Sequence, residues 1–164
     1  MKFLKHLSFL LFISVFSYSK VYAEKVGFLG IMKEHTKSIE LAELGWKSDI
    51  GSKGYVSGSL MLFGHDDKAF DAANLSFGYT TGNKVKAFSG LGAFIGKHEE
   101  CGDHNGYSGP VCKYDFTSGV YPELGVQTSI KNIRISAYSR YYFTFDAGNQ
   151  KYWLYGLNFG YKLK

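Results

Sequence analysis

The stretch KYWLYGLNFGYKL, residues 151–163, alternates almost without error. Trp153, Tyr155, Leu157, Phe159, Tyr161 and Leu163 occupy one set of positions; Tyr152, Leu154, Gly156, Asn158, Gly160 and Lys162 occupy the other. Successive side chains of a strand point to opposite faces. One face of this strand is therefore large and apolar, and the other is mainly small or polar. When many strands repeat that pattern and no helix covers them, lipid can be the covering layer.

The pattern does repeat. Strands are expected at about 25–33, 39–50, 54–65, 72–81, 84–97, 117–129, 132–145 and 151–163. From Asn132, one face carries Ile133, Ile135, Ala137, Tyr141, Phe143 and Phe145, and the other Arg134, Ser136, Tyr138, Arg140 and Tyr142. Val120, Pro122, Leu124 and Val126 oppose Tyr121, Glu123, Gly125 and Gln127. Around Ile39–Trp46 the phase slips, as a β-bulge or a misplaced boundary would make it. No segment after residue 23 has the length and apolarity of a membrane helix, and no 3.6-residue period appears.

Met1–His6 is basic, Leu7–Phe16 is apolar and uncharged, and Val21-Tyr22-Ala23 suits signal peptidase. The expectation is a signal peptide over 1–23, cleaved after Ala23, and a single domain over 24–164. Cleavage leaves 141 of the 164 residues. It removes Lys2, Lys5 and Lys20 from 19 basic residues and none of the 14 acids, so the mature charge is +2. That balance gives no basic stripe for nucleic acid.

The two cysteines, Cys101 and Cys112, share one Gly-rich polar stretch of an exported chain, for which a disulfide is the default. Metal binding is the rival, with His98 and His104 close by, but a tetrahedral site needs four placed ligands. No cofactor or metal is expected.

Connections provide a second test. Gly51-Ser52-Lys53, Gly82-Asn83 and Lys131-Asn132 read as tight turns. Glu34–Ser38, Asp66–Asp71, His98–Phe116 and Asp146–Gln150 read as longer loops, the third of 19 residues. Short and long joints alternate, as in membrane barrels with short periplasmic turns and longer extracellular loops. Tyr79, Tyr141, Phe143, Phe145, Trp153, Phe159 and Tyr161 lie toward the ends of the apolar rows, where aromatic girdles form.

On these features the chain resembles the small eight-stranded outer-membrane barrels of Gram-negative bacteria, such as the OmpX/Ail family and the OmpA membrane domain. The resemblance implies an all-β, antiparallel, up-and-down transmembrane β-barrel. It also implies recognition by the barrel-assembly machinery through the last strand, whose Gly156, Phe159 and Tyr161 match the assembly pattern. The chain ends Lys162-Leu163-Lys164, where that pattern has a terminal aromatic.

The polar faces carry Glu43, Lys47, Lys86, Glu123, Arg134 and Arg140, charges of both signs that can pair inside a small barrel. An eight-stranded interior is just wide enough for its own side chains, and Tyr121, Tyr138 and Tyr142 would help fill it. No open pore is expected. The loop residues His104, Asn105, Tyr107, Ser108 and Tyr114 form an adaptable contact set. Lys33, His35, Lys37, Lys68, Lys97 and His98 would ring the outer rim, near lipopolysaccharide phosphates.

Two lipid A enzymes share the resembled architecture. The deacylase is recognised by a late His-x-Ser pair, and no histidine follows His104. A palmitoyltransferase-like site could be nominated at His65, Asp66, Asp67 and Ser108, although this is also what a polar loop looks like. The expected function is therefore a monomeric, non-enzymatic outer-membrane barrel. It would act in surface contact or envelope integrity, in contact with outer-membrane lipid, lipopolysaccharide and an extracellular partner. Two alternatives stand: a soluble periplasmic lipocalin-like barrel with its greasy face inward, and a lipid A acyl-modifying enzyme.

Overall fold

A computed structural model describes residues 24–35, 40–65, 68–102, 111–145 and 151–163. Among them there are eight strands and no helix: β1 (Lys25–Glu34), β2 (Glu40–Ile50), β3 (Gly54–His65), β4 (Lys68–Gly82), β5 (Val85–Gly102), β6 (Val111–Ile130), β7 (Ile133–Thr144) and β8 (Lys151–Leu163). Each pairs antiparallel with its sequence neighbours, and β1 pairs with β8 to close the barrel. The closing seam runs from Lys25 opposite Leu163 to Glu34 opposite Leu154. Closure removes the sheet edges that a bilayer would not tolerate.

The alternation settles which face is which. Leu29, Leu75, Leu91, Leu124, Leu157 and Phe159 point outward and are exposed; Val26, Tyr55, Tyr121 and Tyr142 point inward and are buried. On β6 the contrast is direct, with Leu124 64% exposed and Tyr121 1%. An apolar outer wall around a polar interior is the arrangement of a membrane barrel. It is the inverse of the lipocalin-like alternative, which required the greasy set inside.

Three expectations are corrected. First, β2 has no bulge. Its register with β1 runs unbroken from Lys25 opposite Ser48 to Lys33 opposite Glu40, and with β3 from Ala42 opposite Leu62 to Ile50 opposite Gly54. The apparent slip arises because Leu41 packs inside while Trp46 lies outside, its indole against Gly58.

Second, β4 begins at Lys68, so two residues, not six, separate it from β3. Third, the expected 19-residue loop is mostly strand. The β5–β6 ladder continues past Lys97 opposite Phe116 to Gly102 opposite Val111. Residues 98–102 carry no apolar alternation, so the pairing there leaves no period to read. The other boundaries agree to within a residue.

Rings and glycines interlock inside. Phe28 stands opposite Gly45, Tyr55 opposite Gly78, Phe88 opposite Gly125, Phe94 opposite Gly119, Tyr121 opposite Gly92 and Tyr138 opposite Gly156. In every pair a Cβ on the glycine would collide with the facing side chain, with the ring itself in five and with the Tyr55 hydroxyl at Gly78. The small residue on one strand is the space that the large residue on the next one fills.

Candidate functional site

The lumen is stratified. By the rule that places short turns in the periplasm, the end carrying turns 51–53, 83–84 and 131–132 is periplasmic. The opposite half of the lumen is mainly apolar and aromatic, with Glu34, Asn74 and Thr144 also buried there: Met32, Leu41, Met61, Ala72, Phe94, Tyr121, Tyr142 and Leu154 belong to one buried cluster. Tyr121 and Tyr142 stack with centroids 4.5 Å apart, and Phe94 meets Tyr142 edge-on at 5.0 Å. These side chains plug the barrel.

Below the plug lies an ion-pair layer. Strand alternation aims Glu43 of β2, Glu123 of β6 and Arg140 of β7 inward. Arg140 Nη1 donates to Glu43 Oε1 at 2.7 Å, and its Nε donates to Glu123 Oε2 at 2.9 Å. Tyr55 and Ser76 hydroxyls donate to Glu123 Oε1 at 2.6 and 2.9 Å. Ser59 and Tyr138 hydroxyls donate to Glu43. The guanidinium also lies over the Tyr138 ring at 4.4 Å. Lys47 sits between the Tyr55 and Phe88 rings, 3.9 and 3.8 Å from their centroids, and donates to Gln127 at 3.0 Å. Buried charges cost least when paired and hydrogen-bonded; Arg140, Glu43 and Glu123 meet both conditions, and Lys47 is held by its hydrogen bond and the two rings.

A second layer lies nearer the periplasm. Arg134 pairs with Asp49 at 3.2 Å and with Glu24, and Lys162 pairs with Glu24 at 3.1 Å. At the turn, the exposed Lys53 ammonium donates to the Tyr79 hydroxyl oxygen, which raises the lysine's pKa.

The expected polar cluster is thus two layers rather than one. Glu43, Lys47, Glu123 and Arg140 come together; Arg134 belongs to the lower group. Lys86 belongs to neither. It shares their inward parity but is the second residue of β5, half-buried where the lumen opens to water. Sequence reading missed Tyr55, Ser59, Ser76, Asp49 and Gln127 as partners. Inward parity was the available signal, and on β2 it was obscured by the apparent slip.

On the outer wall, Trp153 stacks on Tyr155 at 5.7 Å, meets Tyr141 edge-on at 6.1 Å, and donates through Nε1 to Ser139. His35 packs against both Trp153 and Tyr155. These rings lie at the extracellular end of β1, β7 and β8, at girdle height.

Cys101 of β5 and Cys112 of β6 are direct cross-strand partners in the backbone register. Tyr114 lies on β6 opposite Glu99, and His65 ends β3 opposite Lys68. Asp66, Asp67, His104, Asn105, Tyr107 and Ser108 lie outside the described residues, as does the expected signal peptide.

A closed, even-stranded barrel with an apolar wall and an ion-paired lumen defines an integral outer-membrane barrel, and comparison with solved structures agrees. Ail, the attachment invasion locus protein of Yersinia pestis, superposes with a TM-score of 0.55 at 18% identity, covering 86% of this chain and 97% of that one. The N-terminal β-barrel domain of Pseudomonas aeruginosa OprF gives 0.60 at 12%, covering 86% and 99%. The outer membrane enzyme PagL gives 0.57 at 12%, covering 84% and 99%. No protein-family model and no curated protein matches the sequence. The chain is a small eight-stranded β-barrel protein of the outer membrane.

Proposed function

We propose that this barrel is a closed, non-enzymatic membrane anchor that presents its β5–β6 hairpin for contact at the cell surface. The carrying observation is the height of that hairpin. The last β6–β7 pair is Gly119 opposite Thr144, but β5–β6 pairing continues for eight more pairs, from Ile95 opposite Ser118 to Gly102 opposite Val111. Eight residues of strand span roughly 26 Å. β5 stays paired with β4 as far as Glu100 opposite Lys68, so it is β6 that rises so far beyond β7. A strand end at that height meets a partner rather than lipid.

The rest of the reading fits this one. A signal peptide over 1–23 delivers the chain to the envelope, and the assembly machinery inserts it as a monomer. A disulfide between Cys101 and Cys112 ties the hairpin near its top, where opposed strand positions match the separation a disulfide needs. His104, Asn105, Tyr107, Ser108 and Tyr114 supply contacts, and lipopolysaccharide phosphates meet the rim cations. Ail has been crystallised with the heparin analogue sucrose octasulfate, which supports ligand contact as a role for barrels of this shape.

Enzymatic function is the second reading, because PagL shares the fold. The missing late histidine weighs against its chemistry. The test is a variant in which residues 98–116 are replaced by a tight turn. It should remain a heat-modifiable outer-membrane protein but lose binding of expressing cells to immobilised heparin or extracellular matrix, while lipid A mass spectra stay unchanged on overexpression. Undiminished binding contradicts the proposal, and altered lipid A restores the enzymatic reading.

A further inference from the structure

The two ends of the barrel differ in charge. At the periplasmic end Lys25, Lys53, Lys84 and Lys131 are exposed, and Lys86 and Lys162 are half-buried. Among the described residues the acids at that end are Glu24 and Asp49, and both are already held by Arg134 and Lys162. None of the four exposed lysines has a carboxylate partner among the described residues. At the opposite end the exposed charges mix signs, with Lys33, Lys151, Asp71 and Asp115.

The topology spaces the four lysines evenly. Lys53, Lys84 and Lys131 lie in the turns that join β2 to β3, β4 to β5 and β6 to β7, and Lys25 opens β1 at its seam with β8. There is one lysine for every two strands, or roughly 10 Å of rim. The turns are pinned. The Lys53 carbonyl accepts from the Thr80 amide at 2.6 Å and the Thr80 hydroxyl at 3.2 Å, and the Lys84 carbonyl accepts from the Thr128 hydroxyl at 3.0 Å. Lys131 has a φ of 53°, in the left-handed region where glycine or asparagine sits with less strain.

The lysines stand where the lipid-facing wall stops. Ile130 precedes Lys131, Val85 follows Lys84, Ile50 lies three residues before Lys53, and Leu163 is opposite Lys25. All four apolar side chains are exposed on the outer wall. Tyr79 and Tyr161 are exposed at the same level. The Lys53 ammonium lies 5.7 Å from the Tyr79 ring centroid, and Asn132 donates to the Tyr161 hydroxyl at 3.4 Å. Tyrosines with an apolar body and a polar tip mark the headgroup boundary. The four ammonium groups are therefore at headgroup depth, where the nearest anions are lipid phosphates. A lysine is a point charge on a flexible stem, which suits a mobile phosphate. A globular partner would reach one side of such a rim, whereas a lipid shell reaches all of it.

We propose that the periplasmic rim is a collar for anionic phospholipids, in which each exposed lysine holds the headgroup phosphate of a net-negative lipid of the inner leaflet. The test uses the full-length mature barrel in phosphatidylcholine vesicles with spin-labelled lipids. Phosphatidylglycerol should associate more tightly than phosphatidylcholine, by up to about fivefold at low salt, as one lysine at an anionic surface gives. The preference should shrink in about 1 M salt, because exposed charges are screened. Lys25→Gln, Lys53→Gln, Lys84→Gln and Lys131→Asn together should abolish it, while Lys33→Gln with Lys151→Gln should reduce it far less.

The heat-modifiable gel shift reports folding of each variant. Should the fourfold variant fail to fold, Lys53→Gln with Lys84→Gln takes its place and should lose part of the preference. Equal association of the two lipids with the wild type, or an undiminished preference in the folded variant, overturns the proposal. So does lysine-dependent co-sedimentation with peptidoglycan sacculi in the absence of any lipid preference, which would assign the lysines to the cell wall.

Discussion

Arg140 and Glu43 meet at 2.7 Å across the lumen, from strands β7 and β2, which do not pair with each other. The contact therefore ties opposite walls of the barrel, and Glu123 on β6 completes it. Strand hydrogen bonds set the circumference; this tie fills the centre.

Arg140→Met should destabilise the barrel strongly, because two buried carboxylates lose their shared cation. Breaking a buried pair from one side costs about 3–5 kcal/mol. The Glu43→Gln, Glu123→Gln, Arg140→Met triple variant should be closer to wild type than the single variant. Urea unfolding in lipid vesicles checks the order, and a triple variant weaker than the single contradicts it.

Gly92→Ala and Gly156→Ala should each lower stability by about 1–3 kcal/mol through overpacking, since the new methyl meets the Tyr121 or Tyr138 ring. The cost should fall when the ring is shortened as well, as in Gly92→Ala with Tyr121→Leu. A double-mutant cycle measures the coupling, and additive effects would show that the ring and the glycine do not share space.

Outward positions should respond to charge according to their depth in the membrane. Leu124→Arg, on the lipid face, should cost about 2–4 kcal/mol if it lies at midplane. Ile130→Arg, at the periplasmic end of the same strand, should cost much less. Equal effects in vesicle unfolding would mean that Leu124 does not face lipid.

The hairpin disulfide should be separable from the barrel. Alkylation before and after reduction should modify Cys101 and Cys112 only after reduction. Cys101→Ser with Cys112→Ser should keep the heat-modifiable gel shift, because the pair lies eleven residues above Glu123 on β6. Free thiols in the unreduced protein, or loss of the shift in the variant, contradict this.

The purified barrel should hold no steady conductance in planar bilayers, since Phe94, Tyr121 and Tyr142 close the lumen above Arg140. A stable open state would show that these rings do not pack as a plug in the membrane.

How legible these features were in the sequence follows from where each residue sits. β7 and β8 read cleanly because they cross lipid along their length, so Ile133 to Phe143 and Trp153 to Leu163 keep one apolar row. β2 read poorly because an inward Leu41 and an outward Trp46 each break the simple rule that inside is polar and outside aliphatic. The hairpin beyond Lys97 was invisible because His98-Glu99-Glu100-Cys101-Gly102 carries no apolar alternation. Periodicity exposed the inward charges but not their pairing: Arg140 finds Glu43 97 residues away, a relation set only by how many strands close the barrel. The ring-and-glycine pairs needed the register as well, since Gly92 and Tyr121 are unremarkable apart.

The most direct test of the topology places single cysteines at Asn105 and Asn83, in a Cys101→Ser, Cys112→Ser background, and treats intact cells with a membrane-impermeant maleimide. The account predicts labelling of Asn105→Cys and protection of Asn83→Cys until the outer membrane is opened. Labelling of Asn83→Cys on intact cells, or protection of Asn105→Cys, would contradict it.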